Sequence, residues 1–147
     1  MAANRPSRTP GGGNTRSNLF HVYPAERLVV LSLSETTPAF EPWAAVMEQV
    51  FAHPEFEAGF GIVSDRRSVQ QAPLSAVMND VIRFLVDAAG ARRFVGRFAT
   101  VLQPADPITF ALWTRLEELG KNAGLDLCIF TNFDEAIRWA TCQDTTQ

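Results

Sequence analysis

From residue 19 onward the apolar positions switch repeatedly between a period of two and a period near 3.6, the signatures of strands and amphipathic helices. "LFHVY" (19 to 23) and "LVVLSLS" (28 to 34) are short, rich in Val and Leu, and separated by Pro24-Ala25-Glu26-Arg27, which predicts a β-hairpin. Phe40, Trp43, Met47, Val50 and Phe51 then recur at helical spacing, with Thr37 as the expected N-cap, Pro38 at the first helical position and an end near His53-Pro54. "FGIVSD" (60 to 65) reads as the third strand. Leu74, Val77, Met78, Val81, Ile82 and Leu85 form the apolar stripe of a second helix closed by Ala89-Gly90. "RFATVL" (97 to 102) is a fourth strand, and Asp106-Pro107 opens a third helix whose inner face is expected to carry Ile108, Ala111, Leu112, Leu116 and Leu119. Gly124 stops that helix. "LDLCIF" (125 to 130) is the fifth strand, and Asn132 with Glu135 three residues later predicts a capping box for a last helix reaching about Thr141.

The order is β-β-α-β-α-β-α-β-α. Strands separated by helices of this length pair in parallel through right-handed crossovers, while a hairpin pairs antiparallel. The predicted fold is therefore α/β: a single-layer, mixed, mostly parallel five-stranded sheet with four helices. One domain is expected over residues 19–142, between a basic tail at 1–18 and a short C-terminal tail at 143–147.

Composition narrows the class without naming a chemistry. At 147 residues, 46% hydrophobic and 20% charged, the chain can bury a full core and belongs with ordinary globular domains. No apolar run reaches the roughly 20 residues needed to span a bilayer, so no stable membrane association is expected. Arg5 and Arg8 are not followed by the apolar stretch of a signal peptide, and a cytoplasmic location is the expectation. The net charge of −3 hides a split: Arg5, Arg8 and Arg16 place +3 on an acid-free tail and leave −6 on the rest. The tail is rich in Gly, Pro, Ser and Asn and is expected to be disordered. An acidic body is a poor ligand for a phosphate backbone, so nucleic acid is not an expected partner. Cys128 and Cys142 have neither disulfide-framework nor metal-ligand spacing, and neither metal nor cofactor is expected.

Several stretches carry a resemblance. "GIVSDRRS" closing the third strand, and "VLQPADPITFALWTRLEELGKNAGLDLCIFTNFDEAIRWA" as strand, helix, strand and last helix, resemble the SpoIIAA-like family of STAS domains. The ending "LDLCIFTNFDEAIRWA" is the most telling part, and the resemblance spans roughly Val22 to Trp139. It implies a mixed five-stranded α/β fold, no catalytic activity, and a role in protein interaction or small-ligand sensing. In the anti-sigma-factor antagonists of that superfamily a serine at the start of the helix after the third strand is a phosphorylation switch. Ser75 is its nearest counterpart here, or Ser68 under another loop arrangement, and the Asp-Ser-Gly context of the switch is absent.

In an open parallel sheet, ligands and partners meet the rim at the carboxyl ends of the strands, where helix N-termini present free N–H groups. That rim is expected to gather Ser34 to Pro38, Asp65 to Ser75, Gln103 to Pro107 and Thr131 to Glu135. Its acids outnumber its bases: Glu35, Asp65, Asp106, Asp134 and Glu135 against Arg66 and Arg67, which disfavours an open phosphate pocket. The loop Asp65, Arg66, Arg67, Ser68 to Ser75 is the candidate partner or switch surface. Arg92, Arg93 and Arg97 flank the start of the fourth strand and should lie on the opposite rim, which breaks any continuous basic stripe. No catalytic residues are assigned. His21 and His53 lack a nucleophile or metal partner at motif spacing, and Glu117-Glu118, on consecutive helical positions, read as a solvated face. Phe84, Phe110, Trp113 and Trp139 fall off or at the edge of the predicted stripes and are the candidate apolar pocket or dimer surface. The expectation is thus a non-enzymatic module with a protein partner or homodimer contact, with a small apolar or lipid-like ligand as the alternative.

Overall fold

The computed structural model of the protein describes residues 19–33, 38–69, 71–103 and 106–142. The predicted basic and C-terminal tails, the Thr37 cap and Glu35 lie outside the described residues. The chain runs β1 (Leu19–Tyr23), a 3-10 turn (Pro24–Glu26), β2 (Leu28–Ser32), α1 (Phe40–Ala52), β3 (Gly61–Asp65), α2 (Ser75–Gly90), β4 (Phe98–Val101), α3 (Pro107–Asn122), β5 (Leu127–Phe130) and α4 (Phe133–Thr141). The sheet order is β1-β2-β3-β4-β5. β1 pairs antiparallel with β2 through the hairpin, and the remaining three pairings are parallel.

Each parallel crossover advances one strand in the same direction. Crossovers of one hand then leave their helices on one face of the sheet, and α1, α2 and α3 pack side by side there. The last helix has no further strand to reach. It folds back over β3, β4 and β5 on the other face.

Strand alternation divides the core accordingly. Val29, Leu31, Ile62, Phe98 and Leu127 face the three-helix side with Trp43, Met47, Val50, Met78 and Leu116. Leu28, Val63, Ala99 and Val101 face α4, where Ala136 and Ala140 let the helix approach closely. Gly61 belongs to that contact, because a Cβ on it would stand 2.2 Å from the Ala140 carbonyl oxygen.

Three details differ from the sequence pattern. α1 begins at Phe40 with Ala39 as its N-cap, so Pro38 precedes the helix instead of occupying its first position. Leu74 lies outside the core at 69% exposure. In α3 the buried residues are Trp113, Leu116 and Gly120, while Ile108, Ala111 and Leu112 are exposed. The helix is rotated relative to the predicted stripe because the indole of Trp113, the largest apolar side chain on it, takes the inward position. Gly120 sits on the same face, where a Cβ would meet Leu127 at 3.0 Å.

Candidate functional site

The loop after β3 is built by alternation carried past the strand. The Arg66 N–H donates to the Val101 carbonyl (2.9 Å) and the Leu33 N–H to the Asp65 carbonyl (3.3 Å), so the extended geometry continues beyond Asp65. Residues 62, 64 and 66 therefore share the three-helix face, and residues 63, 65 and 67 share the α4 face. Arg66 turns inward. It is 5% exposed, and its guanidinium carbon lies 5.8 Å from the centre of the Trp113 ring. Arg67 turns outward on the other side, 4.7 Å over the Phe133 ring at the start of α4.

Asp65 and Arg67 form a closed pair. Nε and Nη2 of Arg67 donate to the two carboxylate oxygens at 2.9 Å each, and the Arg67 backbone N–H donates to Oδ1 at 3.1 Å. The side-chain hydrogen bond from Arg67 is the main cause holding the Asp65 carboxyl below its ordinary value, against an opposing effect of burial. The pair raises Arg67 in turn. The expected cluster of Asp65, Arg66, Arg67 and Ser68 is thus split: a bidentate surface pair, an arginine beneath the helices, and an exposed serine.

Under α1, α2 and α3 the sheet presents a polar row. Ser64 pairs in register with Thr100, and both are buried at 1% and 2% exposure. The Ser64 hydroxyl has no hydrogen-bond partner among the described residues. Ser64, Arg66 and Thr100 face a cavity of about 30 Å³ with Trp43, Phe98 and Trp113 among its walls.

The rest of the rim is occupied by caps. Asp106 accepts from the Thr109 N–H at 2.7 Å and Asn132 from the Glu135 N–H at 2.9 Å. Ser75 is the first residue of α2 and is exposed, behind a Leu74 that offers no cap. Beside α4 an open depression of about 480 Å³ lies over Arg67, Gln103 and Asn132. Arg97 lies at the other end of the parallel strands, where its Nη1 donates to the Trp139 carbonyl at 2.8 Å. The two arginine groups therefore occupy opposite rims.

The candidate aromatics are not brought together. Phe84 packs edge-on to Trp43 (5.1 Å) within the three-helix core, and Phe110 packs partly buried against that core. Trp113 roofs the cavity, whereas Trp139 stands across the sheet against Phe130 at 5.6 Å. An apolar cavity of about 110 Å³ lies instead at the opposite end, between Leu85, Phe94, Phe98 and Leu125. His53 Nδ1 accepts from the Glu55 N–H at 3.1 Å. Glu117, read from sequence as solvated, is half-buried and accepts from the Ile129 N–H of the edge strand at 3.0 Å. Burial, and then Glu117, push the Cys128 thiol up. Among the described residues no group of three His, Cys, Asp or Glu could hold a metal ion, and no helix is long and apolar enough to cross a membrane.

Comparison with known proteins gives no match to a family model, a curated protein or a solved structure. The described residues form an α/β domain with a mixed, mostly parallel five-stranded sheet and four α-helices.

Proposed function

We propose that the protein is a non-enzymatic, STAS-like interaction module whose working surface is the rim at the carboxyl ends of its strands. One observation carries the reading: the three most exposed large hydrophobic residues described, Ile108 (74%), Leu74 (69%) and Leu112 (49%), all lie at that end. Scattered surface leucines are ordinary, but a concentration at one end of a sheet marks a contact surface. Ile108 and Leu112 are one turn apart on one face of α3, and Leu74 leads into α2 beside Ser75. The reading draws also on the resemblance to SpoIIAA-like domains, which implies an α/β fold with a mixed five-stranded sheet.

Within this reading Arg67 and Ser68 are polar contacts at the edge of the surface, and Arg66 supports the loop from beneath. Ser75 is the position for a switch. A phosphate there would sit on the α2 N-terminus, favoured by the helix dipole, and would place charge beside Leu74. The test is recovery of partners from the protein's own cells with the wild type, Leu74→Asp and Ile108→Asp, alongside native mass spectrometry. The reading predicts a bound protein lost in both variants with unchanged circular dichroism. A self-complex lost in the same way identifies the partner as a second copy. Undiminished binding in both variants overturns the reading.

A further inference from the structure

The amino ends of the parallel strands, opposite the proposed contact rim, carry two neighbouring cavities. One, of about 200 Å³, is walled by Arg27, Arg97, Asp126 and the end of α4 at Thr141 and Cys142. The other is the apolar cavity of about 110 Å³ between Leu85, Phe94, Phe98 and Leu125. Val95, Gly96 and Asp126 border both, so the two lie side by side.

The polar cavity holds one charge of each sign that the protein leaves uncompensated. Arg97 is half-buried and held in place: its guanidinium carbon stands 5.1 Å from the centre of the Trp139 ring, and its Nη1 donates to the Trp139 carbonyl. A carbonyl positions a guanidinium without neutralising it, and among the described residues no carboxylate pairs with Arg97. The Asp126 carboxylate likewise enters no ion pair among them. Arg27, on the same wall, is already committed to Glu57 at 3.2 Å. Arg97 and Asp126 are therefore the charged groups left to meet a ligand.

Those two charges narrow the ligand. A simple anion is disfavoured, because Asp126 and the C-terminal end of α4, the negative end of its dipole, stand on the same wall. A simple cation is disfavoured by Arg97. A molecule carrying both charges, with a carboxylate accepting from Arg97 and an ammonium facing Asp126, satisfies both walls. The neighbouring cavity supplies the third element. It is smaller than the roughly 150 Å³ that holds benzene, which suits an aliphatic side chain and excludes an indole. Together the two volumes reach the lower end of small-ligand sites, about 300 Å³. We propose that this rim binds a free α-amino acid with a branched aliphatic side chain: carboxylate at Arg97, ammonium at Asp126, side chain among Leu85, Phe94, Phe98 and Leu125. The site lies at the other end of the strands from Leu74 and Ile108 and stands whether or not that surface recruits a partner.

Calorimetry and thermal shift with leucine, isocaproate, isopentylamine, glycine and tryptophan test it. Isocaproate lacks the ammonium, isopentylamine the carboxylate and glycine the side chain, while tryptophan overfills the apolar cavity. Saturable leucine binding is expected, at least about tenfold tighter than any of the four, since each lost charged contact or buried side chain costs that much or more. Asp126→Asn should weaken leucine about tenfold and leave the melting temperature of the ligand-free protein unchanged, because the carboxylate is exposed and has no ion-pair partner to lose. Arg97→Gln should weaken leucine by at least as much, with the ligand-free melt checking that the variant is folded. No saturable response to leucine, equal affinity for isocaproate, isopentylamine, glycine or tryptophan, or unchanged leucine affinity in Asp126→Asn would each overturn the assignment.

Discussion

The guanidinium of Arg66 lies 5.8 Å from the centre of the Trp113 ring, on the opposite face of the sheet from its neighbour Arg67. Two consecutive arginines thus do different work. Arg66 anchors the β3 loop under the helices, and Arg67 closes a surface pair with Asp65.

Arg66→Glu should therefore destabilise the fold by roughly 3 kcal/mol or more, because it places a carboxylate where a guanidinium is buried beside an indole. Arg67→Glu removes an exposed pair and should cost less than about 1 kcal/mol. Urea denaturation of the two variants measures the difference, and equal losses would contradict the placement of Arg66.

The Asp65 carboxyl titrates below its ordinary value of 3.8 in the folded protein, chiefly through the hydrogen bond from the Arg67 side chain. A lowered folded value means that the contribution is fully present above the unfolded value and is lost as pH falls through the folded one. Asp65→Asn should thus be less stable than the wild type at neutral pH, with the gap closing below about pH 4. Urea midpoints across that range check the sign. A gap that persists undiminished in acid would refute it.

Close packing of α4 rests on Gly61. Gly61→Ala would drive a Cβ to 2.2 Å from the Ala140 carbonyl oxygen, which is backbone and cannot swing away. A loss of about 2 kcal/mol or more is expected. Gly90→Ala, at the end of α2 with nothing within 4 Å, should be neutral or stabilising by about 0.5 kcal/mol. Thermal melts should show a lowered midpoint for Gly61→Ala and an unchanged or raised one for Gly90→Ala.

At the free edge of the sheet, Glu117 accepts from the Ile129 N–H. Glu117→Ala should expose that amide to solvent and cost about 1 kcal/mol. Amide exchange at Ile129 is expected to accelerate while exchange in the central strand β3 stays slow.

The sequence pattern made the elements readable because each one is punctuated. Asp106 and Asn132 accept from the N–H groups that their spacing predicts, although among the described residues the Glu135 side chain does not return the bond that would complete a capping box, and Gly124 takes the left-handed φ of 83° that ends α3. The face of α3 was not readable, since Ile108, Leu112, Leu116 and Leu119 compose a plausible stripe until Trp113 competes for the inward position. The inward turn of Arg66 had a signal, the alternation of residues 62, 64 and 66. Charge masked it, because a guanidinium is ordinarily assigned to solvent. The orphan hydroxyl of Ser64 had none, for a serine in a strand becomes informative only when its neighbours across the sheet are known.

A photo-crosslinking side chain at position 108, compared with one at Glu26 in the hairpin turn at the other end of the sheet, tests the central claim most directly. The account predicts discrete cross-linked species from position 108, none from position 26, and loss of the former on adding Leu74→Asp. Equal capture from both positions, or capture from position 26 alone, would contradict it.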